Sequence, residues 1–231
     1  MKPFINIAAS LTFSLFLFSC SENGMTQTEP KKYKYLALGD SYTIGQSVCE
    51  TCRFPIQLKD SIQRHLNRND TFEVKIIAQT GWKTSELLSA IASENPSNDY
   101  DLVTLLIGVN NQYQHKPFSQ YEQEFPELVS KAIQLGKGDK NNVIVVSIPD
   151  YAFTPFGQGS TAVSEEIYRY NEFARNYCQA SNITFVNITD ITREGLLKPE
   201  LVTSDGLHPS ILAYSKFVAR ILPQAQLKIS D

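Results

Sequence analysis

The 231-residue chain has little of several things, and each shortage excludes something. It has no excess of basic charge: 21 Lys and Arg stand against 24 Asp and Glu, for a net charge of −3. A nucleic-acid partner is therefore not expected, because binding one needs a basic stripe that displaces phosphate counterions. Four cysteines are too few to frame a small disulfide-held domain, so an apolar core must supply most of the stability. Eleven Gly and eleven Pro are near average, and no heptad or longer repeat is visible. Collagen, coiled coil and repeat arrays are thereby excluded. Only three histidines occur, His65, His115 and His208, so any chemistry that needs an imidazole has few candidates.

Long apolar runs are also missing, except at the N-terminus. Met1-Lys2 leads into the largely apolar stretch Phe4–Phe18, which is short for a bilayer span but suits the centre of an export signal. It closes on Leu17-Phe18-Ser19-Cys20, which resembles a bacterial lipobox, although Phe18 is bulkier than that motif usually carries. On this reading residues 1–19 are a signal peptide and Cys20 carries the lipid. Residues 21–32 form a flexible tether holding the protein, at the periplasmic or cell-surface side, to a membrane it does not span. The alternative is an ordinary cleaved signal whose cysteine is incidental.

From Tyr33 onward, strands and helices alternate. Strands are predicted at residues 33–38, 72–78, 101–107, 143–148 and 183–187. Helices are predicted at 55–66, 84–93 with Thr84 as cap, 121–135, from a Ser164 cap to Cys178, and 210–221. The runs at 101–107 and 143–148 are nearly continuous in apolar residues, as in strands buried on both faces of a parallel sheet. One α/β domain over 33–231 follows, with helices on both faces of the sheet. Right-handed crossovers then place all the strand C-termini on one rim, where ligands bind in such folds.

That rim collects the chemistry. Gly39-Asp40-Ser41 follows the first strand, Gly81 the second and Gly108-Val109-Asn110 the third, while Asp205-Gly206-Leu207-His208 precedes the last helix. A serine hydroxyl needs a base to become a nucleophile, and His208 can serve. Asp205, three residues earlier, can hold the imidazole in one tautomer. The Ser41 and Gly81 backbone N–H groups and the Asn110 amide can meet a developing oxyanion.

These four blocks resemble the signature blocks of the SGNH hydrolases, the GDSL esterase/lipase superfamily. The resemblance implies a flavodoxin-like three-layer α/β sandwich with a five-stranded parallel sheet. It also implies ester hydrolysis through a serine acyl-enzyme, with no metal or organic cofactor. Carried over, Ser41 is nucleophile and oxyanion donor, Gly81 and Asn110 are oxyanion donors, and Asp205 and His208 complete the triad. The chain departs from the pattern at Tyr42, where the motif has leucine, and at Asn111, where it usually has aspartate. No G-x-S-x-G elbow surrounds Ser41, so the larger α/β-hydrolase fold is not expected.

Beside the blocks, Cys49-Glu50-Thr51-Cys52 admits a zinc, a redox or a disulfide reading. Export and the lack of a second ligand pair favour a disulfide between Cys49 and Cys52. Cys178 reads as a half-buried helical thiol, His65 as a surface histidine and His115 as loop decoration near the site. Six aromatics, Tyr42, Trp82, Tyr113, Tyr151, Phe153 and Phe156, are candidates for a partly apolar substrate cleft. The substrate would be a small-molecule, lipid or carbohydrate ester. An acyltransferase on the same residues and an inactive surface binding protein are the competing readings.

Overall fold

The computed structural model describes Met1 and residues 29–229 of the chain. The export signal, Cys20 and the tether up to residue 28 lie outside the described residues. No helix among the described residues is long and apolar enough to cross a membrane.

Five strands, β1 (Lys32–Gly39), β2 (Thr71–Ala78), β3 (Leu102–Leu106), β4 (Val143–Val146) and β5 (Thr184–Val186), form one sheet in the order β2-β1-β3-β4-β5. Every pairing is parallel. β1 lies between β2 and β3, with Ala37 opposite Ile76 on one side and Thr104 on the other. All residues of β3 and β4 are buried, as their unbroken apolar character requires of central strands. The one polar residue among them, Thr104, is satisfied by the buried Tyr35 hydroxyl at 2.8 Å.

Among the described residues eight α-helices accompany the sheet: α1 (Ser41–Ile44), α2 (Phe54–Gln63), α3 (Thr84–Glu94), α4 (Val109–Tyr113), α5 (Phe118–Leu135), α6 (Thr161–Ser181), α7 (Thr189–Thr192) and α8 (Ile211–Ile229). α2 and α8 pack against each other, while α3, α5 and α6 pack in succession. This is the three-layer α/β sandwich with a five-stranded parallel sheet expected from the sequence. Tyr121, Phe125, Tyr170 and Phe173 interlock between α5 and α6, with ring centroids 4.6–6.1 Å apart.

The chain leaves β1 toward β2 and then returns to the far side of β1 as β3. The crevice at this reversal lies at the C-terminal ends of β1, β2 and β3. It carries Ser41, Gly81 and Asn110.

Several helix ends differ from expectation. Ser160, not Ser164, caps α6, because its extended backbone lets Oγ accept from Val163 N at 3.4 Å. Ser164 lies in the first turn and donates instead to buried Asp150 at 2.6 Å. At α3, Lys83 holds the cap position and donates its N–H to Glu86 at 2.9 Å, while Thr84 is already helical. α5 starts at Phe118, three residues before the expected Tyr121. α8 passes through Pro223 and reaches Ile229, because Ala225 and Ile229 prolong the buried stripe beyond Ile221. Cys178 is fully buried rather than half-buried, and burial pushes its thiol up to about 12.

Candidate active site

The first block is built by a cap. Asp40 follows β1 and accepts the Tyr42 N–H on Oδ1 at 3.0 Å, starting α1 with Ser41 as its first residue. As a first helical residue, Ser41 has no intrahelical acceptor for its own N–H. Its side chain is 4% exposed. Asp40 is completely buried and its Oδ2 has no partner, so desolvation raises the carboxyl to about 7 against the pull of the Tyr42 N–H.

Gly81 turns the chain after β2 with φ of 86°, a conformation that favours a residue without Cβ, and the space a Cβ would enter is open. Two side chains of the α4 segment hold this turn. Asn110 Nδ2 donates to the Trp82 carbonyl at 3.0 Å, and Gln114 Nε2 donates to the Gly81 carbonyl at 2.9 Å. The first bond aims the Asn110 amide beside Gly81 and leaves its second amide hydrogen for a ligand. Asn111 points away into the interior, where it exchanges hydrogen bonds with Thr84.

The fourth block is a tight turn around a carboxylate. Asp205 Oδ1 accepts from Thr203 Oγ1 at 2.7 Å, Leu207 N at 2.8 Å and His208 N at 2.9 Å. Oδ2 accepts from His208 Nδ1 at 2.7 Å and from Ser47 Oγ at 2.5 Å. Partial burial opposes the charge. The hydrogen bonds from Ser47, the His208 amide, Thr203 and the His208 ring outweigh it and hold the Asp205 carboxyl well below the usual carboxylate range. With Nδ1–H committed to Asp205, Nε2 is left as a bare acceptor.

Ser41, Gly81, Asn110 and His208 line one cavity of about 200 Å³. Ser41 and His208 share it without a direct hydrogen bond among the described residues, a looseness common in unliganded sites. Thr80, Val109 and Leu207 complete its polar and aliphatic lining, with Tyr42, Tyr113, Tyr151 and Phe156. Tyr113, Tyr151 and Phe156 form a mutually packed trio with centroids 6.0–6.1 Å apart. Tyr42 is buried against the His208 ring at 5.3 Å.

Two of the six candidate aromatics are not part of the lining. Trp82 contributes its carbonyl to Asn110 rather than its indole to the cavity. The Phe153 ring packs under the Arg193 guanidinium at 5.8 Å. His65 and His115 are exposed and lie away from it. Cys49 and Cys52 are joined by a disulfide in the segment between α1 and α2. Thr80, Val109 and Leu207 are not among the site residues expected from the sequence, although Thr80 adjoins one block and Val109 and Leu207 lie within two others. Ser47 and Gln114 carry no local signal at all.

The chain resembles several solved structures over most of its length. An acetylxylan esterase from Geobacillus stearothermophilus is 17% identical, with 85% of this chain and 95% of that chain covered at a TM-score of 0.63. A lipase/acylhydrolase from Enterococcus faecalis is 18% identical, with 85% and 96% covered at 0.66. A member of the lipolytic protein G-D-S-L family from Veillonella parvula is 15% identical, with 83% and 97% covered at 0.64. At these identities the likeness is one of fold. No curated protein sequence matches the chain. The model of the GDSL-like lipase/acylhydrolase family matches residues 37–216, which contain all four blocks. By that match the chain belongs to the GDSL-like lipase/acylhydrolase family and is a hydrolase of ester bonds.

Proposed function

We propose that the protein is a serine esterase for neutral carboxylic esters, working through an acyl-enzyme with Ser41, His208 and Asp205 as its triad. One observation carries the reading: His208 is held by Asp205 at 2.7 Å on the same cavity as Ser41, which Gly81 and Asn110 also line. His208 Nε2 takes the Ser41 proton as Oγ attacks the ester carbonyl. The Ser41 and Gly81 N–H groups and the Asn110 amide receive the oxyanion. The protonated imidazole gives its proton to the departing alcohol, and a water deprotonated by the same ring then releases the acid. Asp205 stays ionised throughout and stabilises the imidazolium.

The cavity is smaller than the roughly 300–1,000 Å³ that encloses a drug-sized ligand, so it suits a short acyl group with the alcohol part outside. The aromatic trio at its mouth favours a sugar ring or a short chain, and the likeness to an acetylxylan esterase points the same way. The apolar N-terminal run ending at Cys20 supports export and lipid anchoring, which would present the site to esters outside the cytoplasm.

The test is hydrolysis of p-nitrophenyl acetate by the protein lacking residues 1–20, beside Ser41→Ala. The parent is expected to turn over and the variant to fold but lose activity. Equal turnover by the two would overturn the assignment.

A further inference from the structure

The segment that follows the nucleophile reaches both halves of the site, and no signature block includes it. Gly45 N and Gln46 N both donate to Ser41 O at 3.0 Å, folding the chain back on α1, and the Cys49–Cys52 disulfide closes its far side. Gln46 Oε1 accepts the Thr80 hydroxyl at 2.6 Å, next to Gly81. Ser47 adopts a left-handed backbone with φ of 67°, unusual for a residue with a side chain, and its hydroxyl reaches Asp205 Oδ2 at 2.5 Å.

The Asp205 contacts divide by origin. Oδ1 is filled from within its own turn, by Thr203, Leu207 and His208. Among the described residues Oδ2 meets only the His208 ring and Ser47, and Ser47 comes from 158 residues away. The oxygen that holds the imidazole thus receives its one contact from outside the turn from a single hydroxyl, added to the three bonds that hold Oδ1.

We propose that Ser47 is a positioning residue, which orients Asp205 Oδ2 toward His208 Nδ1 and so couples the segment after the nucleophile to the triad acid. The proposal rests on the triad reading above. The hydroxyl also draws charge from Oδ2, so removing it concentrates that charge on the imidazolium and favours the protonated ring. The ionisable groups around the pair include Asp40, Tyr42, Tyr151, Tyr214 and Arg53, with Glu50 paired to Arg53 at 3.5 Å, while Tyr113 and Asp150 share cavity linings with His208. All of them are retained in the variants below, so a shift in pH dependence reports on the Ser47 contact.

The experiment compares the parent with Ser47→Ala and Ser47→Thr on p-nitrophenyl acetate across pH, and records the low-field proton resonance of the His208 Nδ1–H. In Ser47→Ala, kcat should fall roughly ten-fold at nearly constant KM, the scale of a small misplacement. The acid limb of kcat/KM should move to higher pH and the resonance should shift. Ser47→Thr, which keeps the hydroxyl at some cost in stability for a β-branched residue at positive φ, should restore the limb and the resonance and most of kcat. Parent-like kinetics and an unmoved resonance in Ser47→Ala would overturn the proposal. So would an equal loss in both variants with the limb in place, since that marks a packing role. If the parent itself fails to turn over, the triad reading falls, and the resonance still decides whether Ser47 sets the Asp205–His208 contact.

Discussion

Asn111 and Thr84 exchange two hydrogen bonds: Thr84 N donates to Asn111 Oδ1 at 3.1 Å, and Asn111 Nδ2 donates to Thr84 Oγ1 at 2.6 Å. The Thr84 hydroxyl then spends its single proton on Glu124 Oε2. The chain needs a donor at position 111 because that proton is already committed. This accounts for the departure from the aspartate the family pattern favours. Asn111→Asp would set two carboxylates on one hydroxyl in a fully buried place. It should cost about 1–3 kcal/mol at pH 7. A carboxyl so placed has its pKa raised, so the loss should shrink as pH falls and the group protonates. Adding Glu124→Gln supplies a second donor and should recover most of the loss. Urea midpoints of the two single variants and the double decide the point, and an additive double would refute the shared-proton account.

Asp40 gives a second pH dependence, of known sign. Its carboxyl is raised to about 7 by burial, above its ordinary value of 3.8. Between these values the unfolded chain has lost a proton that the folded chain keeps, so stability falls as pH rises. Asp40→Asn mimics the protonated form and keeps an acceptor for the Tyr42 N–H. Its stability relative to the parent should therefore grow by about 2–3 kcal/mol between pH 5 and pH 8. A constant difference in urea unfolding free energy across that range would show that Asp40 is ionised in the folded protein.

What could be read from the sequence divides by the range of the interaction involved. The sheet was legible because Leu102–Leu106 and Val143–Val146 are apolar without interruption, a pattern that burial on both faces imposes locally. The block residues were legible because each follows a strand or turn that brings it to the rim. The helix ends were less so: Ser160 and Ser164 are both serines, and only Asp150, a tertiary partner, settles which one caps. The helix predicted at 210–221 falls short because the buried Ala225 and Ile229 carry α8 onward through Pro223. Trp82 and Phe153 have the right residue type in the right loops, but Asn110 engages the Trp82 backbone and Arg193 covers the Phe153 ring, both of them tertiary partners. The Ser47 contact spans 158 residues, and nothing near Ser47 in the chain announces it.

The aromatic trio should govern substrate choice. Tyr113 and Phe156 are half exposed at the cavity mouth, whereas Tyr151 is buried beneath them. Tyr113→Ala and Phe156→Ala should each raise KM for p-nitrophenyl butyrate about ten-fold, the scale of one lost aromatic contact. kcat on the acetate should change little, because the reacting atoms are untouched. Trp82→Phe and Phe153→Leu, whose parent rings lie off the cavity, should leave KM for both esters near the parent value. A KM effect as large in these two would relocate the acyl site.

Gly81 and Gly108 both adopt positive φ, at 86° and 129°, yet they should fail differently when given a side chain. A Cβ on Gly81 meets nothing within 4 Å, and Gly81 lines the cavity beside the other proposed oxyanion donors. Gly81→Ala should therefore fold with a penalty of about 1–2 kcal/mol from the backbone alone. It should lose roughly a hundred-fold or more in kcat through the displaced N–H. A Cβ on Gly108 would come within 2.6 Å of Tyr121 Cε2, part of a ring locked among Phe118, Phe125 and Tyr170. Overpacking adds about 1–3 kcal/mol to the backbone strain there, so Gly108→Ala should lose stability well before Gly81→Ala does. Urea midpoints and kcat measured on both variants separate the two roles. A Gly81→Ala protein that unfolds as early as Gly108→Ala would mean that Gly81 serves the fold, and Asn110 would then need another partner at the oxyanion.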